Sequence, residues 1–296
     1  MAKLTEIPVL SWNVFHGRDA PPDPMLRRAT WRLSAKPIDE GDYVQVNHSL
    51  EEQFAGVIAA AQWSVCLLQE APPAWTETLE RTCQAQVFRT LTSRNQFGLI
   101  TRPIARLRPD LLGSWEGGSN MVLVRLGWRI VPGTGRSLLL NPLRERGLSE
   151  RRWMSFVRLR SENSSAEEIC VANLHATSRG QAHAERELRR AAAAALSWAG
   201  ETPMVFGGDF NLRPRSSRVF EELEHRFGIG GTAAPDSIDH LFARGLEVIR
   251  PPTKWPDERR ELVVRWKARK RRIRLSDHAP IEAAFCSSSD AVQVGV

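Results

Sequence analysis

The sequence lacks several features that mark specialised classes of protein. No apolar run approaches the roughly 18 uninterrupted residues of a membrane-spanning helix, so no membrane span is expected. The first residues contain Lys3 but no long apolar stretch, so they are not typical of a signal peptide. Only four cysteines occur, at positions 66, 83, 170 and 286, and no two of them form C-x-x-C. We therefore expect neither a disulfide scaffold nor a structural zinc site, and we predict a cytoplasmic protein.

Low-complexity tracts and repeats at a fixed period are also absent, so no repeat architecture is expected. The 296 residues are about twice the length of a typical domain, which is compatible with one large domain or two small ones. No change of composition divides the sequence into halves with separate patterns. We therefore predict a single domain over residues 1–296. The proline-rich stretch at about 17–47 shows little periodicity and is predicted to be a loop insertion.

Acidic residues are the minority charge, because 41 Lys and Arg oppose 34 Asp and Glu and give a net charge of +7. The segment 265–274 alone contains seven basic residues and no acidic one, which leaves 34 of each sign elsewhere. A local excess of this kind predicts an anionic partner. The alternative is a solvated, arginine-rich strand or loop without a ligand.

Short apolar runs separated by turn signals indicate the fold class. Runs at 7–14, 65–68, 154–159, 169–173 and 204–206 predict buried strands, whereas 181–198 has the composition of a helix. Strands dominate and no regular alternation of strand and helix appears, so a doubly wound parallel sheet fits less well. The pattern favours an α/β sandwich in which two sheets pack face to face and helices lie outside.

Polar side chains capable of metal or proton chemistry follow these strands where the apolar runs end. A rigid sheet fixes the relative positions of such groups, so we expect a functional site at the strand ends. The candidates are Asn13, Glu70, His175, Asp209, Asn211, Asp239, Asp277 and His278.

Glu70 closes a strand that begins with four apolar residues, so its backbone is expected to be buried and its carboxylate needs a partner. A hard divalent cation such as Mg²⁺ would serve, with Asn13 and Asp277 as further oxygen ligands. The alternative is a buried salt bridge to one of the many arginines.

The remaining candidates suit proton transfer and phosphate binding. His278 is a candidate general base, and Asp239 is a candidate for the carboxylate that fixes its tautomer. In extended chain Asp209 and Asn211 point to the same side, so they offer an acceptor and a donor to one phosphate and its attacking water. The alternatives are a structural histidine and an Asx turn that satisfies local backbone.

Six short motifs, in order from residue 11 to residue 280, resemble those of the endonuclease/exonuclease/phosphatase superfamily, to which deoxyribonuclease I belongs. They are S-W-N-V at 11–14, L-Q-E at 68–70, N-L-H at 173–175, G-G-D-F-N at 207–211, I-D-H at 238–240 and S-D-H-A-P at 276–280. The resemblance implies a four-layer α/β sandwich, with two mixed, mainly antiparallel sheets packed face to face and outer helices.

The same resemblance implies a metal site and a set of catalytic roles. Glu70 and Asn13 would hold Mg²⁺, for which Mn²⁺ can substitute, and Asp277 would lie nearby. The catalytic set implied by the resemblance comprises His278 as base or transition-state stabiliser, Asp239 as its orienting partner, Asp209 and Asn211 on the nucleophilic water, and His175 on the scissile phosphate.

The function predicted from these features is that of a metal-dependent phosphodiester hydrolase, specifically a monomeric nuclease that cleaves DNA or RNA by in-line attack of an activated water. Alternate residues of one strand share a face, so Arg265, Lys267, Arg269 and Arg271 are predicted to bind the substrate backbone. The alternatives are a phosphatase or lipid phosphodiesterase, with a phosphorylated small molecule or lipid as partner. A third alternative is a nucleic-acid-binding protein with a vestigial site.

Overall fold

Two large β-sheets form the centre of the computed structural model. The structure describes residues 6–22, 39–40, 42–46, 49–92, 118–142, 150–163, 167–231, 234–266 and 268–287. In chain order the described strands are β1 (Glu6–Asn13), β2 (Asp39–Glu40), β3 (Tyr43–Val44), β4 (Val65–Ala71), β5 (Gln86–Leu91), β6 (Ser119–Val124), β7 (Trp128–Ile130), β8 (Arg136–Leu139), β9 (Trp153–Ser161), β10 (Glu168–His175), β11 (Met204–Asp209), β12 (Asp239–Arg244), β13 (Leu246–Lys254), β14 (Glu261–Trp266), β15 (Arg269–Arg274) and β16 (Ile281–Ser287). The described α-helices are α1 (Glu51–Ala60), α2 (Thr76–Cys83), α3 (Gln181–Ala199) and α4 (Val219–Phe227).

The two sheets are mixed and mainly antiparallel. The first has the order β13-β16-β1-β4-β6-β5, and the second has the order β12-β11-β10-β9-β7 with β8 paired to β9. The β1–β4 and β10–β11 pairs are parallel, and the other neighbours in these sheets run antiparallel. The carboxyl ends of β1 and β4 therefore lie side by side in the first sheet, and those of β10 and β11 lie side by side in the second.

Alternate residues of each strand pack into different apolar layers. Val9 and Leu67 join Val171 and Val205 in the cluster between the two sheets. Their neighbours Leu10 and Leu68 instead pack with α1 and α2 on the outer face of the first sheet, and the second sheet is covered by α3 and α4. This order of helices, sheet, sheet and helices confirms the predicted four-layer α/β sandwich.

The long helix α3 covers the second sheet with small side chains. Ala184, Leu188, Ala191 and Ala195 are fully buried and recur at helical spacing on one face. None of the described helices, this one included, has the length and apolar character needed to cross a membrane.

The predicted insertion at 17–47 is partly built into the fold. Its strands β2 and β3 extend the β14–β15 hairpin into a third, four-stranded sheet, through pairing of Tyr43 with Arg272. Asp19 forms a further bridge to Leu275. Residues 23–38, 41 and 47 of the insertion lie outside the described residues. The described part therefore packs against the basic segment instead of forming a free loop.

Candidate active site

One edge of the sandwich brings the predicted catalytic and metal-binding side chains together. Asn13, Glu70, His175 and Asp209 lie at or next to the carboxyl ends of β1, β4, β10 and β11. Because β12 and β16 run antiparallel to their neighbours, their first residues lie at the same edge. Asp239 begins β12, and the chain enters β16 just after residues 277–278. The polar residues that follow the apolar runs of the sequence thus lie together in the fold.

Asp209 lies at the centre of this arrangement and is only 1% exposed. Its Oδ2 accepts a hydrogen bond of 2.9 Å from Nδ2 of Asn13. The same oxygen lies 3.5 Å from Nε2 of His175 and 4.0 Å from Nε2 of His278. Its Oδ1 accepts a hydrogen bond of 2.9 Å from the backbone N–H of Asn211. Asp209 therefore connects groups from four parts of the chain.

Burial determines the protonation behaviour of Asp209. Desolvation, followed by repulsion from the carboxylate of Asp239, raises the pKa of Asp209 well above that of an ordinary aspartate. The cationic His278 and the hydrogen bond from Asn13 oppose this shift. A carboxylate in this environment can take up a proton at a pH where an exposed aspartate would remain charged.

His278 and Asp239 form a hydrogen-bonded pair. Nδ1 of His278 lies 2.9 Å from Oδ2 of Asp239. The backbone N–H of His278 donates to Oγ of Ser276 at 3.0 Å, and its carbonyl accepts a bond of 2.9 Å from the Trp12 indole. Burial disfavours the charged ring, but the charge and hydrogen bond of Asp239 dominate and raise the pKa of His278 to about 10. The ring is therefore held as a cation with Nε2 facing Asp209.

The glycine directly before Asp209 is required by close contact between β10 and β11. Gly208 has φ of +130°, and a Cβ there would lie 2.0 Å from the carbonyl oxygen of Leu174. No larger residue can occupy that position without displacing backbone. The site therefore depends on the close approach of these two strands.

Glu70 contributes an ionised carboxylate at the end of β4. Its φ of +54° is left-handed, a conformation that costs a non-glycine residue about 1–3 kcal/mol. Oε2 lies 3.2 Å from Nε2 of His16, and Oε1 lies 3.6 Å from Nε2 of His175. Burial works against ionisation, but the positive charges of His16 and Arg152 outweigh it and lower the pKa of Glu70 to about 2.

Two groupings of side chains compete as the metal site. Ligand atoms of Asp209, Asp239 and His278 lie within 4.8 Å of one another. A histidine must be neutral to bind a metal, however, and His278 holds its proton strongly, so this grouping suits proton chemistry. Glu70 and Asp277 supply the hard carboxylate oxygens that Mg²⁺ prefers. The assignment of Asn13, Glu70 and Asp277 as ligands remains a prediction.

Two further residues lie at the site although no role was predicted for them from the sequence. His16, three residues after Asn13, contacts Glu70 from the short turn Phe15–Gly17. Arg152 places its Nη1 within 2.9 and 3.1 Å of the two ring nitrogens of His175. Burial, followed by the charge of Arg152, lowers the pKa of His175 well below its usual value. The position of His16 beside a motif was a usable signal, whereas Arg152 lies in none of the six motifs.

A buried amide network joins the two sheets directly behind the site. Nε2 of Gln69 donates to Oδ1 of Asn173 at 2.8 Å and lies 3.3 Å from Oγ of Ser11. Nδ2 of Asn173 donates to the carbonyls of Leu68 and Met121 at 3.0 and 2.9 Å. These contacts fix the spacing of β4 and β10 where each strand delivers a site residue.

The basic segment forms two strands, so the prediction of a single strand with one basic face was wrong. Arg265 lies opposite Lys270 across the β14–β15 hairpin and shares its face. Arg269 and Arg271 occupy the other face, because residues in a strand alternate. Lys267 lies outside the described residues. The four predicted phosphate contacts therefore do not form one row, and substrate binding by them remains a prediction.

The arginines at the end of the hairpin nearest the site have acidic partners. Asp257 pairs with Arg274 at 2.9 Å and with Arg260 at 2.6 Å, and Glu261 lies 3.5 Å from Arg272. Arg269 lies five residues further along β15 from Arg274, or roughly 17 Å at the usual rise of a strand. Arg265, Arg269 and Lys270 therefore lie towards the far end of the hairpin, away from these acidic residues.

Comparison with known proteins identifies the family and the fold. A sequence profile described as the Endonuclease/Exonuclease/phosphatase family matches residues 10–278. The fold is similar to that of an endonuclease/exonuclease/phosphatase family protein from Bacteroides thetaiotaomicron, with a TM-score of 0.65, 13% identity and coverage of 97% of this chain and 100% of that one.

Two further solved structures share the fold. A mannosyl-6-phosphatase from Bacteroides thetaiotaomicron gives a TM-score of 0.64 at 13% identity, covering 94% of this chain and 99% of that one. The human Nocturnin catalytic domain gives 0.58 at 15% identity, covering 95% and 94%. No curated protein matches the sequence. At these identities the structural likeness extends to the fold alone.

Proposed function

The chain belongs to the Endonuclease/Exonuclease/phosphatase family, and we propose that it is a divalent-metal-dependent phosphodiesterase acting on polynucleotides. The family consists of hydrolases of phosphoesters. One observation carries the proposal: Oδ2 of Asp209 lies within 4.0 Å of side-chain nitrogens of Asn13, His175 and His278. A buried acceptor surrounded by donors suits the hydrolysis of a phosphoester, because the acceptor can bind the attacking water while the donors bind the phosphate.

In the proposed reaction, water attacks phosphorus in line with the bond that breaks. Asp209, with its raised pKa, would take the proton from the water at Oδ2. His278, held as a cation by Asp239, would direct its Nε2–H at the phosphate and oppose the negative charge that develops there. The neutral ring of His175 would face the non-bridging oxygens beside Glu70.

A divalent cation is part of the proposal, with Mg²⁺ as the expected ion and Mn²⁺ as a substitute. Glu70 would hold it, with Asn13 and Asp277 as further oxygen ligands. The fit rests on a partly buried carboxylate that stays ionised, and on oxygen donors of the type that Mg²⁺ prefers. When bound, the ion polarises the phosphoryl oxygen and neutralises charge.

A phosphatase acting on monoesters is the second candidate. A recess beside Glu70 and His175 is lined by Arg151 and Arg152, which suit a single terminal phosphate, although Glu150 also lines it and lies 3.4 Å from Arg152. The Bacteroides mannosyl-6-phosphatase, which shares the fold, is named for an activity of this type. The positive net charge of the chain favours the polyanionic substrate instead.

The test is hydrolysis of plasmid DNA, RNA, bis(p-nitrophenyl) phosphate and p-nitrophenyl phosphate, each with Mg²⁺ and with EDTA. We expect metal-dependent cleavage of a polynucleotide and of the small diester. Hydrolysis of the monoester alone would replace this proposal with the phosphatase. Binding of polynucleotides without hydrolysis of any substrate would support a vestigial site.

A further inference from the structure

Residues 211–218, termed the arginine loop below, join β11 to α4 and carry Arg213, Arg215 and Arg218. The edge of the sandwich that holds Asp209 and the other site residues is termed the catalytic edge. Because β11 ends at Asp209, the arginine loop begins directly at this edge. None of its three arginines belongs to the basic segment at 265–274, and none has a role in the proposed reaction.

Contacts at both ends hold the backbone of the arginine loop. At its start, Nδ2 of Asn211 donates to the carbonyl of Ala176 at 3.0 Å, which ties the loop to the chain just after His175. At its end, Oγ of Ser217 donates to Oε1 of Glu185 at 2.7 Å. The arginine side chains therefore extend from a fixed backbone.

Two of the three arginines are exposed and lack a partner among the described residues. Arg213 and Arg218 are exposed, and neither guanidinium makes a hydrogen bond or ion pair with any residue that the structure describes. Arg215 is different, because it pairs with Asp236 at 2.8 Å. The lone arginines thus have no structural role in this part of the chain, and their charges face solvent.

The position of Arg213 in the chain keeps it close to the residue proposed to bind the scissile phosphate. Arg213 is two residues beyond Asn211, so their Cα atoms are at most about 7 Å apart. Phosphates of one strand recur about every 3.4 Å along a duplex axis. With the scissile phosphate at Asn211, Arg213 would be within reach of a neighbouring phosphate, and Arg218 follows later in the same loop.

We propose that the arginine loop is the polynucleotide-binding surface beside the catalytic centre, with Arg213 and Arg218 contacting phosphates that flank the scissile one. This inference rests on the proposed function, since a polynucleotide presents several phosphates and a small monoester presents one. The arginine loop, for which no role was predicted from the sequence, would then bind the nucleic-acid backbone. The β14–β15 hairpin would not, because its arginines nearest the site pair with Asp257 and Glu261.

The test is the salt dependence of binding, measured by fluorescence anisotropy on a labelled DNA duplex in EDTA, so that cleavage plays no part. The double variant Arg213→Gln/Arg218→Gln is compared with the natural sequence between about 50 and 200 mM salt. Loss of two phosphate contacts should make the log–log slope less negative by up to about 1.8. Far-UV circular dichroism checks that the fold is retained.

The matched control is Arg129→Gln/Arg226→Gln, which removes the same charge from exposed arginines away from the catalytic edge. Arg129 lies opposite Arg160 at the far end of β9, and Arg226 lies in the last turn of α4. This control should keep the natural slope. An unchanged slope for the arginine-loop variant, or an equal change in the control, would overturn the proposal.

Two further measurements separate the competing surfaces and ligands. If Arg265→Gln/Arg269→Gln alone flattens the slope, the hairpin is the contact surface and the proposal is wrong. It is also wrong if the arginine-loop variant loses binding to phosphatidylserine vesicles but not to DNA, or if the natural protein binds no polynucleotide. Cleavage of the same duplex with Mg²⁺ is read separately, so binding without cleavage would refute the proposed function and leave the assignment of the surface standing.

Discussion

At the residue scale, burial of Asp209 determines the protonation state and the hydrogen bonds of its carboxylate. It is 1% exposed and lies beside a second carboxylate, so both its charge and its hydrogen bonds depend on neighbours. His278 keeps its charge because Asp239 is 2.9 Å away, and Glu70 stays ionised because the charges of His16 and Arg152 favour its carboxylate form. Single substitutions should therefore affect protonation and metal binding more than packing.

Replacement of Glu70 by Gln keeps the shape of the side chain but removes the charge proposed to hold the metal. We expect loss of activity on the small diester by about 10²-fold or more, since a hard cation is bound chiefly by its carboxylates. Isothermal titration calorimetry should show weaker Mg²⁺ binding. Glu80→Gln, on the exposed face of α2, is the control. Full activity of Glu70→Gln at low Mg²⁺ would refute the assignment.

His278 and Asp239 should behave as one unit. Removal of a positioned acid–base group typically costs about 10²–10⁴ in rate, and members of a unit are not additive. The double variant His278→Ala/Asp239→Asn should therefore be only slightly slower than His278→Ala. Steady-state rates of the single and double variants test this, and losses that simply multiply would show separate roles.

The His278–Asp239 pair also predicts a pH dependence for the metal-free protein. The pKa of His278 is raised to about 10 in the folded state, whereas an unfolded histidine titrates near about 6.5. The stabilisation is therefore fully present below about pH 6.5 and is lost as the pH rises towards 10. NMR of the imidazole nitrogens in EDTA should show a protonated ring at pH 8. Asp239→Asn should lower this pKa, and an unshifted one would contradict the prediction.

At the scale of elements, the amide network between β4 and β10 sets the geometry of the site. Asn173 bridges the sheets through three hydrogen bonds of 2.8–3.0 Å, and it is fully buried. Its strand delivers His175, and the strand of Gln69 delivers Glu70. Strand spacing and catalysis should therefore change together.

Asn173→Leu should separate this positioning role from general stability. It leaves buried polar groups unsatisfied, at about 1–3 kcal/mol each, so denaturant unfolding should show a clear loss of stability. Leu159→Ala, at the far end of β9, gives a comparable loss through a cavity, about 2–5 kcal/mol. We expect Asn173→Leu to lower kcat and Mg²⁺ affinity much more than Leu159→Ala. Equal activities of the two variants would make the network purely structural.

For the whole molecule, we expect the proposed metal binding to be coupled to the stability of the fold. The proposed ligands come from β1, β4 and the segment before β16, which meet only in the folded chain. A ligand that binds only the native state stabilises it by about 2.7 kcal/mol at a concentration 100 times its Kd. Differential scanning calorimetry should show a Tm several degrees higher with Mg²⁺ than with EDTA. Glu70→Gln should lose most of this increase, and an equal increase in that variant would place the ion elsewhere.

The amino-acid sequence by itself determined the fold class and most of the side chains that meet at the strand ends. Apolar runs with a polar residue at the end, as in residues 204–209, specify both a buried strand and the side chain that emerges from it. These signals are local, since the two-residue period of a strand and the glycines at 207–208 can be recognised without knowing any partner. The motif order then implied the four-layer sandwich that the structure confirms.

The tertiary structure alone decided which side chains touch and where the basic charges point. Asn13 and Asp209 are 196 residues apart in the sequence. Arg152, which belongs to none of the six motifs, contacts His175 across the β9–β10 pair. The turn between β14 and β15 moved Arg265 to the face opposite Arg269, and Asp257 neutralised Arg274. Such outcomes depend on strand register and on packing between distant segments, because one added turn residue reverses a face and one packed acid cancels a charge.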